Sequence, residues 1–165
     1  MVGSHGFGSI RNWHLKPCAR EVAARYPQIQ FENANIDAMG MWLLKNPLNY
    51  DVLVAPNQYG DIISDLCAQM VGGLGFGCSG NIGDRLAVFE PTHGSAPKYA
   101  GMYKVNPIAT ILAAKMMLEW LGEGEKALAV ERAVGDVIRE GTIRTYDMGG
   151  SSTTLEMAYA IAERV

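Results

Sequence analysis

Long apolar runs are absent from this 165-residue chain: none approaches the ~20 residues that a spanning helix needs. No charged-then-apolar stretch opens it in the manner of a signal peptide. Cysteine is scarce. Cys18, Cys67 and Cys78 form no CxxC pair, and an odd count of three argues against a disulfide scaffold and for reduced thiols in a cytoplasm. A basic excess is also missing, because 14 Lys and Arg face 17 Asp and Glu for a formal net charge of −3. Nucleic-acid binding, which relies on clustered cations, is therefore not expected. There is no internal repeat and no low-complexity tract. What remains is 48% hydrophobic and 19% charged, a composition able to build a globular core.

Glycine, by contrast, is abundant: there are 19, concentrated between Gly72 and Gly94, with a further pair at Gly149–Gly150. Such runs mark backbone that turns tightly or approaches a ligand closely. Around them the chain alternates helix and strand patterns. After an unpatterned start from Met1 to Trp13, Pro17 fits a first helical turn and Cys18 to Tyr26 continues it. Ile29–Glu32 alternates like a short strand, and Asn35 is placed to cap a helix over Ile36 to Leu44. Tyr50–Ala55 reads as a buried parallel strand, followed by a helix from about Asp61 to Val71. A strand is expected around Leu86–Phe89. Helices are expected from Pro107, with Lys115 and Glu119 paired on the outside, and over Glu125–Arg139. Thr142–Thr145 reads as extended, and Thr153 with Glu156 has capping-box spacing before a last helix, Leu155–Val165. The class is α/β.

Three spacings bear on chemistry. Gly75–Gly80 matches GxGxxG, yet a helix precedes it and a strand follows. The dinucleotide fingerprint requires the reverse order, so the match is rejected. Asp61 and Asp65, four apart at a helix start, project from one face; they suit either a shared hard cation or one dipole-stabilising and one solvated carboxylate. Asp37 by itself reads as a cap-region charge. His93–Tyr99 gathers a histidine, a hydroxyl, a cation and an aromatic within seven residues, which suits a nucleotide loop or a solvated surface loop.

Taken in order, Asn57-Gln58-Tyr59-Gly60-Asp61-Ile62-Ile63-Ser64-Asp65, Gly80-Asn81-Ile82-Gly83, His93 through Gly101, and Val105-Asn106-Pro107 resemble the isocitrate and isopropylmalate dehydrogenases. These are metal-dependent decarboxylating β-hydroxyacid dehydrogenases, and the resemblance runs from about Arg20 to the C-terminus. It implies an isocitrate/isopropylmalate dehydrogenase-like fold, C-terminal part only and not Rossmann. Residues 1–71 would be the second part of a small dimerisation and metal-site domain, and 72–165 the C-terminal part of the large nucleotide-binding domain. Asp61 and Asp65 would be carboxylates for Mg²⁺ or Mn²⁺, with Asp37 reaching the metal site of a neighbouring subunit in a homodimer. Glu90, His93, Gly94, Ser95, Ala96 and Asn106 would surround the adenosine half of the cofactor.

Cofactor choice follows from charge. Lys98 and Tyr99 stand where NAD-using members carry an acidic residue, and with Tyr146 they resemble the NADP-using isocitrate dehydrogenases. Gly150, within an Asp-Met-Gly-Gly run more like isopropylmalate dehydrogenases, stands where the NADP group often has arginine. NADP is the expected cofactor and NAD the alternative. The expected reaction is oxidation of isocitrate to 2-oxoglutarate with loss of CO₂. Isopropylmalate, homoisocitrate or tartrate are the other 2-hydroxy-3-carboxylic acid substrates in view.

Two departures stand out. The family's catalytic lysine would fall near Ser4-His5-Gly6-Phe7, where there is none, and Lys16 is not placed to replace it. The first half of a full member, with its substrate-binding arginines and catalytic tyrosine, has no counterpart here, so no catalytic residue is assigned. A separate N-terminal half is one expected partner. A truncated binding or dimerising module, prone to self-association through uncovered apolar faces, is the non-enzymatic reading.

Overall fold

The computed structural model describes residues 15–165 and the backbone of a two-residue strand, β1 (Val2–Gly3). The Ser4–Phe7 stretch lies outside the described residues. The chain divides into two units, Met1–Cys67 and Ala68–Val165.

In the first unit, α1 (Leu15–Ala23) carries Pro17 in its opening turn, where a missing N–H costs nothing. β2 (Ala34–Asn35) pairs in parallel with β1, Val2 opposite Ala34 and Gly3 opposite Asn35. Asn35 is the N-cap residue of α2 (Ile36–Lys45), although its side chain makes no capping hydrogen bond. Asp37 in that first turn is well placed against the helix dipole. α3 (Asn57–Met70) begins four residues before Asp61, so its opening turn is Asn57–Gly60. Met39 and Leu43 of α2, four apart on one face, close on Ile63 of α3, with Leu53 and Ala55 against them.

Two expected strands of this unit are not formed. Ile29–Glu32 is turn and irregular backbone, and the nearest strand is β2. Tyr50–Ala55 makes no ladder among the described residues. Tyr50, Leu53 and Ala55 pack against the core, whereas Val52 and Val54 are exposed. A continuous apolar run is sheathed on both faces only when strands flank it and helices cover it; here α2 and α3 meet one side of the segment, and no strand pairs with it among the described residues.

In the second unit, β3 (Cys78–Ile82) and β4 (Ala87–Pro91) form an antiparallel pair in which Cys78 faces Pro91 and Ile82 faces Ala87. β3 arises inside the glycine-rich stretch, where no strand is expected from the sequence. A two-stranded ribbon is marginal alone, and this one rests on α4 (Ile108–Trp120). Phe89 meets Trp120 with ring centroids 6.4 Å apart, and the Cys78 thiol lies 3.3 Å from the Met116 sulfur. That burial raises the Cys78 thiol pKa, favouring its protonated form. Gly75–Gly80 runs into β3 and not into a helix, so the dinucleotide fingerprint geometry is not built.

α5 (Gly124–Glu140) and α6 (Thr154–Ala162) complete the unit. Ile108, Ala133, Val134, Val137, Met157 and Ile161 form its core, each large side chain contributing about 1.5–3 kcal/mol of burial. Lys115 bridges Glu119 at 2.8 Å and reaches Glu131 on α5 at 2.9 Å. The Thr153–Glu156 capping box is complete in both directions. Thr142–Thr145 forms no strand; it leads into a single 3-10 turn, Tyr146–Met148.

Candidate functional site

A groove of about 460 Å³ opens in the second unit, within the size range of small-molecule sites. Its floor is the glycine-rich backbone Gly72–Gly75, and its walls include His93, Gly94, Ala96, Asn106 and Tyr146. Asn106 is the organising residue. Its Oδ1 accepts from the Ile108 N–H at 3.0 Å, satisfying an orphan amide at the α4 N-terminus. Its Nδ2 donates to Asp147 at 3.0 Å, and the other Asp147 oxygen accepts from the fully buried Thr145 hydroxyl at 2.5 Å. The Gly75 carbonyl accepts from the Ala109 N–H at 2.9 Å. A β-carbon on Gly75 would stand 2.6 Å from the Asp147 carboxylate, so the floor reaches this close only because the residue is glycine.

The His93 ring places Nδ1 2.9 Å from the Gly94 carbonyl. A carbonyl only accepts, so Nδ1 carries the proton, and in the neutral ring Nε2 is left as an acceptor. The next turn, Pro97–Tyr99, follows Ala96, whose φ of 44° is left-handed and unusual for a residue with a side chain. Tyr103 has the same conformation, φ 49°, so left-handed residues bound this loop on both sides.

Beside the groove the rings of Tyr99 and Tyr146 meet at 5.5 Å between centroids. Lys98 Nζ lies 4.8 Å from the Tyr99 ring, and Lys104 Nζ lies 5.4 Å from the Tyr99 ring and 5.0 Å from the Tyr146 ring. The Tyr99 phenol is held below its ordinary pKa, chiefly by the hydrogen bond from Lys98 and then by that from Tyr146. The Tyr146 phenol is raised, by desolvation first and then by its bond to Tyr99. The two rings with ammonium groups over them form a cationic, hydroxyl-bearing patch, the chemistry that suits an incoming anion.

Other expected site residues lie elsewhere. Glu90 sits on β4, its carboxylate accepting from Asn81 at 3.3 Å, and it does not line the groove. Ser95 is exposed on the loop and does not line it either. Gln69, Asp147 and Val105 do line it and are not anticipated from the sequence.

In the first unit, Asp61 and Asp65 are both exposed on α3. The Asn57 amide donates to Asp61 at 3.0 Å, and the Asp61 carbonyl accepts from the Ser64 hydroxyl at 3.1 Å. Asp37, also exposed, is on α2 with its carboxylate turned back onto the Ala38 N–H at 2.8 Å. Among the described residues, no three His, Cys, Asp or Glu side chains come together as a metal site. The α3 pair alone therefore offers two ligands, and a hard cation requires more oxygens from elsewhere.

Comparison with known proteins places this geometry. The family profile for isocitrate/isopropylmalate dehydrogenase matches residues 9–161. The NAD isocitrate dehydrogenase catalytic subunit 5, mitochondrial, of Arabidopsis thaliana is 52% identical over 149 residues, covering 90% of this chain and 40% of that protein. The 3-isopropylmalate dehydrogenase of Archaeoglobus fulgidus is 49% identical, covering 90% and 45%. The crystal structure of isocitrate dehydrogenase from Methylococcus capsulatus superposes with a TM-score of 0.87 at 45% identity, covering 90% of this chain and 44% of that one. The chain thus spans less than half the length of these relatives.

Proposed function

Because the chain belongs to the isocitrate/isopropylmalate dehydrogenase family, we propose that it is the C-terminal part of an NADP- and Mg²⁺- or Mn²⁺-dependent enzyme that decarboxylates isocitrate oxidatively to 2-oxoglutarate. In this reading residues 1–71 belong to a dimerisation and metal-site domain and 72–165 to the nucleotide-binding domain. The observation that carries the cofactor assignment is the Tyr99–Tyr146 pair with Lys98 against it, a cationic and hydroxyl-bearing patch that meets the groove through Tyr146, while Lys98 and Tyr99 do not line it. A 2′-phosphate of charge about −1.5 to −2 is matched by an ammonium and two phenols, whereas an acidic residue would repel it.

The adenosine half would occupy the groove over Gly72–Gly75. His93 would offer Nε2 as acceptor to an exocyclic amine, and Ser95, beside the groove, its hydroxyl to the ribose. Asn106 would act by holding the wall in place, since both of its side-chain ends are engaged. Asp61 and Asp65 would hold the divalent cation, with Asp37 serving the site of a second subunit in a homodimer. Bound there, such a cation supplies Lewis acidity to the substrate's hydroxyl and carboxylate oxygens. Substrate-binding and proton-transfer groups would come from a further N-terminal half. A reducing compartment such as the cytoplasm suits three cysteines that form no disulfide.

Two other readings have specific support. The NAD-named relative favours NAD as cofactor, and the Asp147–Gly150 run with the isopropylmalate-named relative favours isopropylmalate as substrate, homoisocitrate and tartrate being further alternatives. The incomplete carboxylate set among the described residues favours a binding or dimerising module without catalysis of its own.

The test is thermal melting of the chain with NADP⁺, NAD⁺ and Mn²⁺, separately and together. At roughly 100 times its Kd a ligand adds about 2.7 kcal/mol, a rise of about 5–10 °C for a domain this size. The expected result is a larger rise with NADP⁺ than with NAD⁺. A larger rise with NAD⁺ supports the second reading, and a melt unmoved by every ligand overturns nucleotide binding by this chain.

A further inference from the structure

We infer that Lys104 is a second cation of the phosphate subsite and sets its selectivity for a phosphomonoester on the ribose; the inference rests on the nucleotide reading above. Lys104 lies six residues beyond Lys98 along the chain, yet its ammonium reaches both members of the phenol pair, 5.4 Å from the Tyr99 ring and 5.0 Å from the Tyr146 ring. Lys98 reaches Tyr99 at 4.8 Å. Two ammonium groups therefore converge on rings whose centroids are 5.5 Å apart, and neither is ion-paired with a carboxylate among the described residues.

The position of Lys104 is built and not incidental. Tyr103 before it is left-handed, φ 49°, and its carbonyl accepts from the Thr154 N–H at 2.7 Å. Val105 after it gives its carbonyl to the Thr154 hydroxyl at 2.5 Å. The first residue of α6 thus grips the backbone on both sides of Lys104. The Lys98 turn is set by a different device, the left-handed Ala96. Two separately fixed segments deliver two cations to one aromatic pair.

A lysine over an exposed phenol gains little from the ring alone, and two uncompensated ammonium groups near each other favour an anion between or beside them. Each ammonium has three donors, which fits a phosphate dianion better than a neutral 2′-hydroxyl. Lys104 is accordingly the residue whose charge separates a 2′-phosphorylated adenosine from the plain ribose, with Lys98 as its partner.

Calorimetric titration of the full chain with NADP⁺, NAD⁺ and adenosine 2′,5′-bisphosphate tests this, using Lys104→Met, Lys104→Arg and Lys98→Met. Loss of one charge-assisted contact is expected to weaken NADP⁺ and the bisphosphate about tenfold for Lys104→Met. NAD⁺ is expected to be unchanged, and Lys104→Arg to recover most of the loss. A Lys104→Met chain that loses both dinucleotides equally, or neither, overturns the inference. If Lys98→Met alone abolishes the NADP⁺ preference, the nucleotide reading stands and the role of Lys104 falls. A wild-type chain that binds NADP⁺ no better than NAD⁺, including one that takes up neither, overturns both.

Discussion

Two glycines show how differently the same residue is used. Gly150 packs against the Arg144 carbonyl and β-carbon so closely that a methyl group there would overlap backbone. Gly135 lies inside α5 with open space at its β-carbon position and ordinary helical φ. Gly150→Ala is expected to lose about 1–3 kcal/mol through forced displacement of the Arg144 segment. Gly135→Ala is expected to gain about 0.5–1 kcal/mol by removing backbone entropy from the unfolded chain. Urea unfolding of the two variants checks both, and a Gly150→Ala chain as stable as its parent would contradict the described contact. Neither difference is visible in the sequence, where Gly150 closes a glycine pair and Gly135 stands alone in a helical pattern. Asp147 is similar. Its identity reads as turn chemistry, and only the fold brings it to Asn106, forty-one residues away, and to Thr145.

Helices were legible because their signals are local. The Thr153–Glu156 spacing becomes a complete capping box, Pro107 precedes α4, and the Lys115–Glu119 pair forms at the expected turn. Strands were only partly legible: β4 forms where a strand is expected around Leu86–Phe89, but a strand is stabilised by whatever lies beside it. Cys78–Ile82 has the composition of a loop and becomes β3 through β4 and α4, while the apolar Tyr50–Ala55 finds no partner strand among the described residues. The candidate site was readable through the ordered motifs that resemble the family, including the groove residues His93, Ala96 and Asn106. Lys104 carried no signal because its meaning lies in ring geometry.

The capping box also gives a pH signature. The Thr153 backbone N–H, and then its hydroxyl, hold the Glu156 carboxylate below its ordinary value of 4.5. A depressed folded-state value favours the charged form in the fold. The stabilisation is therefore complete above the unfolded value and is lost as pH falls through the lower folded value. Thr153→Ala is expected to cost about 1 kcal/mol near neutral pH. That difference should narrow in acid, as the carboxylate half of the box takes up its proton. Melting curves of both chains at about pH 7 and about pH 3 compare them; an undiminished difference in acid would assign the whole effect to the hydroxyl.

Across the molecule, several large apolar side chains among the described residues stand in solvent: Leu48 is 96%, Leu86 82% and Val52 78% exposed, and apolar surface left open tends to find a cover when it is contiguous. Sedimentation velocity over a range of concentrations is expected to show self-association of the isolated chain, and a monodisperse monomer throughout would count against it. One feature of the second unit reaches further. An α/β molecule ordinarily keeps its slowest-opening amides in a central strand, but β3 and β4 are each an edge of a two-stranded ribbon among the described residues. Fully or nearly buried side chains instead belong to α4, α5 and α6. The clock of local opening in this unit is therefore kept by helices, with amides of α5 outlasting those of the strands in exchange with solvent. The ribbon, which a reader of fold class would take for the permanent frame, is the more fleeting part.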